Sequence, residues 1–111
     1  MRKILRNGLC FLALGGLSTQ AQSNRRVEII NRSSSPIEYL HASNNDRPRW
    51  EEDLLGPMRL IPPGRHIEVK IDDRAGHCRY DLRAVLLDGR EAVQFDFDVC
   101  ANISWTVEAG N

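Results

Sequence analysis

The sequence predicts an all-β fold: a seven-stranded antiparallel Ig-like β-sandwich with one short helix and one disulfide, after an N-terminal signal peptide. Three observations predict it. Short runs of alternating apolar and polar residues recur between Gly, Pro, Asn and Asp, which is typical of a sandwich or barrel. An Asp-Gly pair at 88–89 separates two such runs and indicates a hairpin. Two late cysteines, Cys78 and Cys100, can pair in an oxidising compartment.

The N-terminal residues have the pattern of a secretory leader. Three basic residues precede the apolar stretch 9–17, and small residues lead to a cleavage site after Ala21. The stretch is shorter than the roughly 20 apolar residues that a transmembrane helix needs. We therefore expect removal of a signal peptide over 1–21, one domain over 22–111, no stable membrane insertion, and a location in the periplasm or outside the cell.

Charge and size restrict the class of function. The chain has 15 basic and 15 acidic residues. The leader removes three basic residues and no acidic one, so the mature net charge is about −3. This leaves no basic footprint for nucleic acid. A domain of about 90 residues only just offsets its chain entropy by burial, so we expect a covalent link to matter.

Seven runs are predicted strands. In the run 66–71, Ile67, Val69 and Ile71 share one face and polar side chains share the other, so this strand is half-buried. Pro36 precedes the second run, where a missing backbone donor is tolerated. The predicted strands cover residues 27–30, 37–42, 58–61, 66–71, 80–87, 91–99 and 103–107.

The segment 50–55, closed by Gly56, is the predicted helix. Its three acidic residues suit a helix N-terminus, and Gly suits the position after a helix end. Trp50 and Leu54 are four residues apart and share one face. So short a helix is stable only if these two side chains pack on the sandwich.

A two-residue turn at 88–89 would pair positions whose numbers sum to 177. Leu82 then faces Phe95, and Ala84 faces Val93, with all four side chains directed towards the core. In the same register Tyr80 faces Phe97.

The same register constrains the cysteines. Cys78 faces Val99, so Cys100 is one position out of step, and a disulfide requires a bulge or bend near 78–79 or 99–101. The closed loop would stabilise the fold by about 3 kcal/mol. A free thiol pair and a redox site are the alternatives, although no Cys-x-x-Cys spacing is present.

Acidic side chains gather on the outward side of the predicted hairpin and on a nearby turn. Calcium binding would need six to eight oxygens, and the sequence has no EF-hand spacing. Arg79 and Arg83 on the same side favour an ion-paired, solvated surface instead. The candidate metal or ligand residues are Asp72, Asp73, Asp81, Asp96 and Asp98.

No arrangement typical of catalysis is present in the sequence. The three histidines have no metal-ligand spacing, and no Gly-x-Ser-x-Gly motif surrounds a serine. The serines at 33–35 are predicted turn residues. We therefore expect a protein that is not an enzyme and that needs no cofactor.

Several short motifs, taken together, resemble those of a known group of proteins. Residues 50–56 read W-E-E-D-L-L-G, residues 63–64 are Pro-Gly, residues 78–81 read C-R-Y-D, and Cys100 follows. Over most of 26–107 the chain resembles a family of small exported bacterial proteins of unknown function. The resemblance implies a compact β-sandwich and brings no catalytic residues.

The predicted function is therefore a non-enzymatic protein-binding or envelope interaction module whose partner is another envelope or secreted protein. An exposed sheet edge at 27–31 or 104–108 could add a strand from that partner. A core role is favoured for the aromatic and apolar residues of 50–55. A calcium or small-ligand binding protein is the alternative function. The candidate docking residues are Trp50, Asp53, Leu54 and Leu55.

Overall fold

The computed structural model describes residues 24–46 and 48–108. This part of the chain is all-β, with six strands and no helix. It contains no helix long and apolar enough to cross a membrane. The predicted signal peptide lies outside the described residues. The strands are β1 (Arg26–Asn31), β2 (Ile37–Asn44), β3 (His66–Lys70), β4 (Arg79–Leu86), β5 (Glu91–Asp98) and β6 (Ser104–Val107).

The strands form two three-stranded sheets, in the orders β3-β1-β6 and β2-β4-β5. All pairings are antiparallel except β1 with β6, which is parallel, so the fully antiparallel prediction is wrong. The chain reaches β6 from the other sheet rather than through a hairpin, so no tight turn imposes an antiparallel direction. β1 is the central strand of its sheet, so the predicted edge at 27–31 is wrong, whereas β6 is an edge strand.

The two sheets enclose one hydrophobic core. Successive side chains of a strand point to opposite faces, and buried residues alternate along β1 and β4 for this reason. The fully buried large apolar residues come from both sheets and from the loop before β3. They are Ile29, Ile37, Leu40, Ile61, Leu82 and Leu86.

Asn31, at the end of β1, is a fully buried polar residue. Its Nδ2 donates to the carbonyls of Ser35 (2.9 Å) and Ile61 (2.8 Å). Its Oδ1 accepts from the Ser33 backbone N–H (2.9 Å) and hydroxyl (2.7 Å). A buried amide is tolerated when its donors and acceptor are paired, so Asn31 holds the β1–β2 turn against the loop before β3. The serines at 33–35 lie in this turn, as predicted.

The predicted helix at 50–55 is wrong. Asp53 instead forms an isolated bridge with His41 of β2, and Leu54 N–H donates to the Leu40 carbonyl at 2.7 Å. The Asp53 carboxylate accepts the N–H groups of Leu40 and Leu55. Six residues cannot nucleate a helix alone, so pairing with the neighbouring strand satisfies this backbone better.

The predicted strand at 58–61 is reduced to one bridge, between Ile61 and Ile37. Met58 and Leu60 are 90% and 48% exposed, so apolar composition here does not reflect burial. The described part of the chain therefore has six strands rather than seven.

The β4–β5 hairpin closes with three loop residues rather than two. Leu86 N–H donates to the Arg90 carbonyl at 2.8 Å, which leaves residues 87–89 in the loop. Gly89 has φ 93°, the left-handed conformation that ends such a loop. Partner numbers near the loop therefore sum to 176.

This slip by one residue reverses part of β5. Leu82 pairs with Gln94 and Ala84 pairs with Ala92, so the predicted partners Phe95 and Val93 are wrong. Because side chains alternate with a period of two, Phe95 and Val93 lie on the outer face. They are 66% and 40% exposed rather than in the core.

A bulge in β5 restores the predicted register further along the hairpin. The ladder shifts between Tyr80 and Leu82, where Asp96 has φ 56°. Beyond it, Tyr80 pairs with Phe97 as predicted. The bulge lies inside β5, away from either predicted place.

The disulfide between Cys78 and Cys100 is confirmed, with 5.3 Å between the Cα atoms. Val99 N–H donates to the Cys78 carbonyl at 2.8 Å, as the predicted facing of these residues requires. The chain turns at 99–101, where Ala101 and Asn102 donate to the Asp98 carbonyl. This turn is one of the two predicted places for a bend, and it brings Cys100 back to Cys78.

Candidate functional site

The outer face of the β3-β1-β6 sheet is polar. Arg26 on β1 lies 3.5 Å from Glu68 on β3, and Glu28 lies 3.1 Å from His66. These side chains are between 41% and 61% exposed, so the pairs are solvated and contribute little to stability. This face is therefore an ordinary solvent-exposed polar surface.

The outer face of the β2-β4-β5 sheet is different. Tyr39 (43% exposed) stacks on His41 with ring centroids 6.2 Å apart. On β5, Val93 and Phe95 are exposed, and Trp50 lies partly exposed beside them on the segment that flanks β2. We call this surface the aromatic face; its members are Tyr39, His41, Trp50, Arg83, Val93 and Phe95.

Arg83 contacts both Trp50 and Glu91 on the aromatic face. Its guanidinium carbon lies 5.9 Å from the Trp50 ring centroid, within cation–π range. Two of its nitrogens donate to the Glu91 carboxylate at 3.0 and 3.1 Å. The hydrogen bonds from Arg83 lower the pKa of Glu91. Arg83 therefore positions Trp50 and neutralises the nearest acid.

A groove of about 400 Å³ lies between Trp50 and Phe95. Its polar boundary is held in place: Ser43 Oγ donates to the Arg49 carbonyl at 2.9 Å, and Asp81 Oδ1 accepts the Asp96 N–H at 2.9 Å. Apolar walls with a few polar groups are typical of recognition sites. The groove is lined by Ser43, Pro48, Arg49, Trp50, Asp81 and Phe95.

The four candidate docking residues have different environments in the structure. Trp50 lines the groove. Leu55 is 3% exposed, and Leu54 packs against the core. The Asp53 carboxylate is occupied by the backbone of residues 40 and 55. Of the four, Trp50 is the one whose side chain lines the groove on the outer face of the β2-β4-β5 sheet.

The five candidate metal residues have separate partners. Asp72 lies within 4.0 Å of Arg25 and Lys70. Asp96 lies 3.4 Å from Arg79, and Asp98 accepts the Cys100 N–H at 2.8 Å. Among the described residues, one group of three has its ligand atoms within 4.8 Å of one another: Asp98 and the two sulfurs of the Cys78–Cys100 disulfide. This arrangement does not favour calcium, which needs converging oxygens.

Asp73 is the centre of a polar cluster between the ends of β2 and β4. Asn44 Nδ2 donates to its carboxylate at 2.9 Å, and His77 Nδ1 does so at 2.7 Å. Partial burial acts to raise the pKa of Asp73, but hydrogen bonds from the Ala75 N–H, His77 and Asn44 outweigh it and lower this pKa to about 2.

The other members of this cluster are also occupied. His77 Nε2 lies 3.5 Å from Asp46, so both ring nitrogens face a carboxylate. The Tyr80 hydroxyl accepts the Asp73 N–H at 3.1 Å, and burial raises the pKa of that hydroxyl. A cleft of about 170 Å³ adjoins the cluster. These contacts join the β3–β4 connection to the β2-β4-β5 sheet.

Sequence reasoning missed Phe95 as a surface residue. The signal that could have found it is Leu87-Asp88-Gly89: a three-residue loop with a terminal Gly is the next most common hairpin after the two-residue turn, and it reverses the face of Phe95. Comparison of the chain with protein-family models, curated proteins and solved structures finds no match.

Proposed function

We propose that the protein is an exported, non-enzymatic binding module that engages another envelope or secreted protein through the aromatic face. The observation that carries this proposal is Phe95, which is 66% exposed at the rim of the Trp50 groove. Large aromatic side chains are enriched in protein interfaces, where they supply most of the binding energy. The leader-like N-terminus and the disulfide support export.

We propose no reaction because the side chains that could act as a base or a nucleophile are already engaged. His77 is held between Asp46 and Asp73, which leaves neither ring nitrogen facing a nucleophile. The thiols of Cys78 and Cys100 are joined. The polar cluster is therefore better suited to holding the connection to the sheet than to proton transfer.

The proposal is tested by comparing two variants of the mature protein in capture experiments with envelope extract. Trp50→Ala/Phe95→Ala should reduce recovery of a stoichiometric partner by about tenfold or more, because aromatic anchors contribute about 2 kcal/mol or more. Ile103→Ala is the matched control, because Ile103 is 70% exposed but flanks β6 in the other sheet. Equal recovery with all three proteins, or no stoichiometric partner for the unchanged protein, would contradict the proposal.

A further inference from the structure

The groove between Trp50 and Phe95 contains a carboxylate that has no ionic partner. Asp81 on β4 lies directly opposite Ser43 on β2, so the two side chains are neighbours in the groove lining. Asp81 Oδ1 accepts the Asp96 N–H at 2.9 Å. Among the described residues no ion pair involves Asp81, and the two arginines on its side of β4 pair with other acids. One carboxylate oxygen therefore remains available to a bound group.

Ser43 offers a second acceptor in the groove lining. It is 3% exposed, and its hydroxyl donates to the Arg49 carbonyl at 2.9 Å. A hydroxyl has one proton and two lone pairs, so Ser43 Oγ can still accept a hydrogen bond. The carboxylate of Asp81 can only accept. A group that displaces water from this part of the groove must therefore supply a hydrogen-bond donor, or it leaves these acceptors unpaired.

The charges of the groove lining favour a neutral donor. Arg49 also lines the groove, and within the described part of the chain its guanidinium forms no ion pair and no hydrogen bond. Asp81 and Arg49 thus contribute one negative and one positive charge. A lysine or arginine of a partner would be attracted by Asp81 and repelled by Arg49, and a carboxylate would meet the reverse. A neutral group avoids both repulsions.

The aromatic side chains of the groove favour a ring. Trp50 and Phe95 both line it, and aromatic rings pack well in offset or edge-to-face arrangements. The cation–π contact of Trp50 is already made by Arg83, which is not part of the groove lining. The groove volume of about 400 Å³ lies within the range of small-molecule pockets, so it is large enough for one aromatic side chain.

We infer that the partner inserts a tyrosine side chain into this groove, with its ring between Trp50 and Phe95 and its hydroxyl donating to Asp81. This inference rests on the proposed function and specifies the side chain by which the partner binds. A phenylalanine would cover Asp81 without replacing its hydrogen bonds to water. A tryptophan N–H would donate to Asp81 but cannot accept from Arg49, whereas a tyrosine hydroxyl can do both. Tyrosine is also enriched at the energetic centres of protein interfaces.

The test titrates N-acetyl-tyrosinamide into the isotope-labelled mature protein and follows the indole N–H of Trp50 and the backbone N–H of Phe95 by NMR. We expect a dissociation constant on the order of 1 mM, as a ligand of this size allows. N-acetyl-phenylalaninamide should bind about tenfold more weakly, because it cannot donate to Asp81. N-acetyl-lysinamide and methyl glucoside represent a cationic side chain and a sugar, and both should also bind about tenfold more weakly.

Asp81→Asn is the decisive variant. Asparagine keeps an oxygen for the Asp96 N–H but replaces the available carboxylate oxygen by an amide NH2 group. The preference for N-acetyl-tyrosinamide over N-acetyl-phenylalaninamide should fall from about tenfold to less than about threefold. Asp98→Asn is the matched control, because Asp98 also accepts a backbone N–H, from Cys100 at 2.8 Å, but is not part of the groove lining. It should retain the full preference.

Four results would overturn the inference. They are no binding of N-acetyl-tyrosinamide at about 20 mM, equal affinity for the tyrosine and phenylalanine compounds, tighter binding of the lysine compound or the sugar, and full tyrosine preference in Asp81→Asn. If Asp81→Asn does not fold, the comparison of the ligands on the unchanged protein decides.

These results are distinguishable from failure of the proposed function. If capture of the envelope partner is lost with Trp50→Ala/Phe95→Ala but any of the four results occurs, the aromatic face remains the binding surface and the tyrosine anchor is wrong. If the tyrosine compound binds with the expected preference but capture is unchanged in that variant, the groove keeps its tyrosine preference and the proposed function is wrong.

Discussion

The two sheets of the sandwich differ in what they present to their surroundings. The β3-β1-β6 sheet covers its outer face with cross-strand ion pairs, such as Arg26–Glu68. The β2-β4-β5 sheet leaves Tyr39, Val93 and Phe95 exposed, and Phe95 lines a groove. Both faces belong to one small domain with one core, so solubility requirements alone do not account for the difference. A group of exposed aromatic side chains on one outer face is typical of an interaction site.

The sheets also differ in how their ends are secured. Buried Asn31 joins β1 to its turn and to the loop before β3 through side-chain hydrogen bonds. The Cys78–Cys100 disulfide instead joins the start of β4 to the turn after β5. One sheet therefore depends on polar complementarity and the other on a covalent link, and each dependence can be tested separately.

The largest effect is expected from Asn31→Ala. It removes the four side-chain hydrogen bonds that link Asn31 to Ser33, Ser35 and Ile61, and each such bond contributes about 1 kcal/mol. We expect a loss of about 4 kcal/mol in the free energy of unfolding, measured by urea denaturation. Ser33→Ala is the control and should lose about 1 kcal/mol. A loss for Asn31→Ala no larger than that of the control would show that Asn31 does not secure the β3-β1-β6 sheet.

Removal of the disulfide should have the next largest effect. Cys78→Ala/Cys100→Ala releases a loop with a sequence separation of 22, and the chain-entropy relation gives a loss of about 3 kcal/mol. Hydrogen exchange should then increase most in β4 and β5 and least in β1. A uniform increase over all strands would argue against a link that acts mainly on one sheet.

Asp73 joins the β3–β4 connection to the β2-β4-β5 sheet, and its low pKa predicts that the stability of the protein depends on pH in acid. Because the pKa is about 2 in the folded protein and 3.8 ordinarily, its stabilising effect is present above about pH 4 and is lost as the pH falls towards 2. Asp73→Asn should therefore flatten the decrease in melting temperature over this pH range. A parallel decrease for both proteins would show that other groups cause the acid sensitivity.

The smallest effect is expected on the polar outer face. Glu68→Gln removes the exposed pair with Arg26 and should change the free energy of unfolding by less than about 0.5 kcal/mol. Partner capture should not change either. A loss of capture with Glu68→Gln would place the binding surface on the β3-β1-β6 sheet and would contradict the proposed role of the aromatic face.

Local patterns predicted much of this fold. Six of the seven predicted strands are present within one to two residues at their ends, because alternation over several residues reports a buried face directly. The predicted strand at 58–61 and the predicted helix at 50–55 were wrong. Both are short segments whose backbone groups found partners in β2 rather than within themselves.

The candidate site was less predictable than the fold. Trp50 was identified from its motif, but its neighbour across the groove was assigned to the core. The error came from one loop residue, since a three-residue turn and a two-residue turn fit the same Asp-Gly signal. Register is a property of the whole hairpin, so a single miscount changed the face of every residue from 91 to 95.

Alternation, turn residues and the two late cysteines were enough to specify an all-β domain with a Cys78–Cys100 link. These signals act over a few neighbouring residues or leave a single cysteine pair after the predicted leader. The parallel pairing of β1 with β6 and the exposure of Phe95 depended on contacts between residues far apart in the chain. Such contacts are chosen by packing and by satisfaction of backbone hydrogen bonds over the entire domain, and no local pattern encodes that choice.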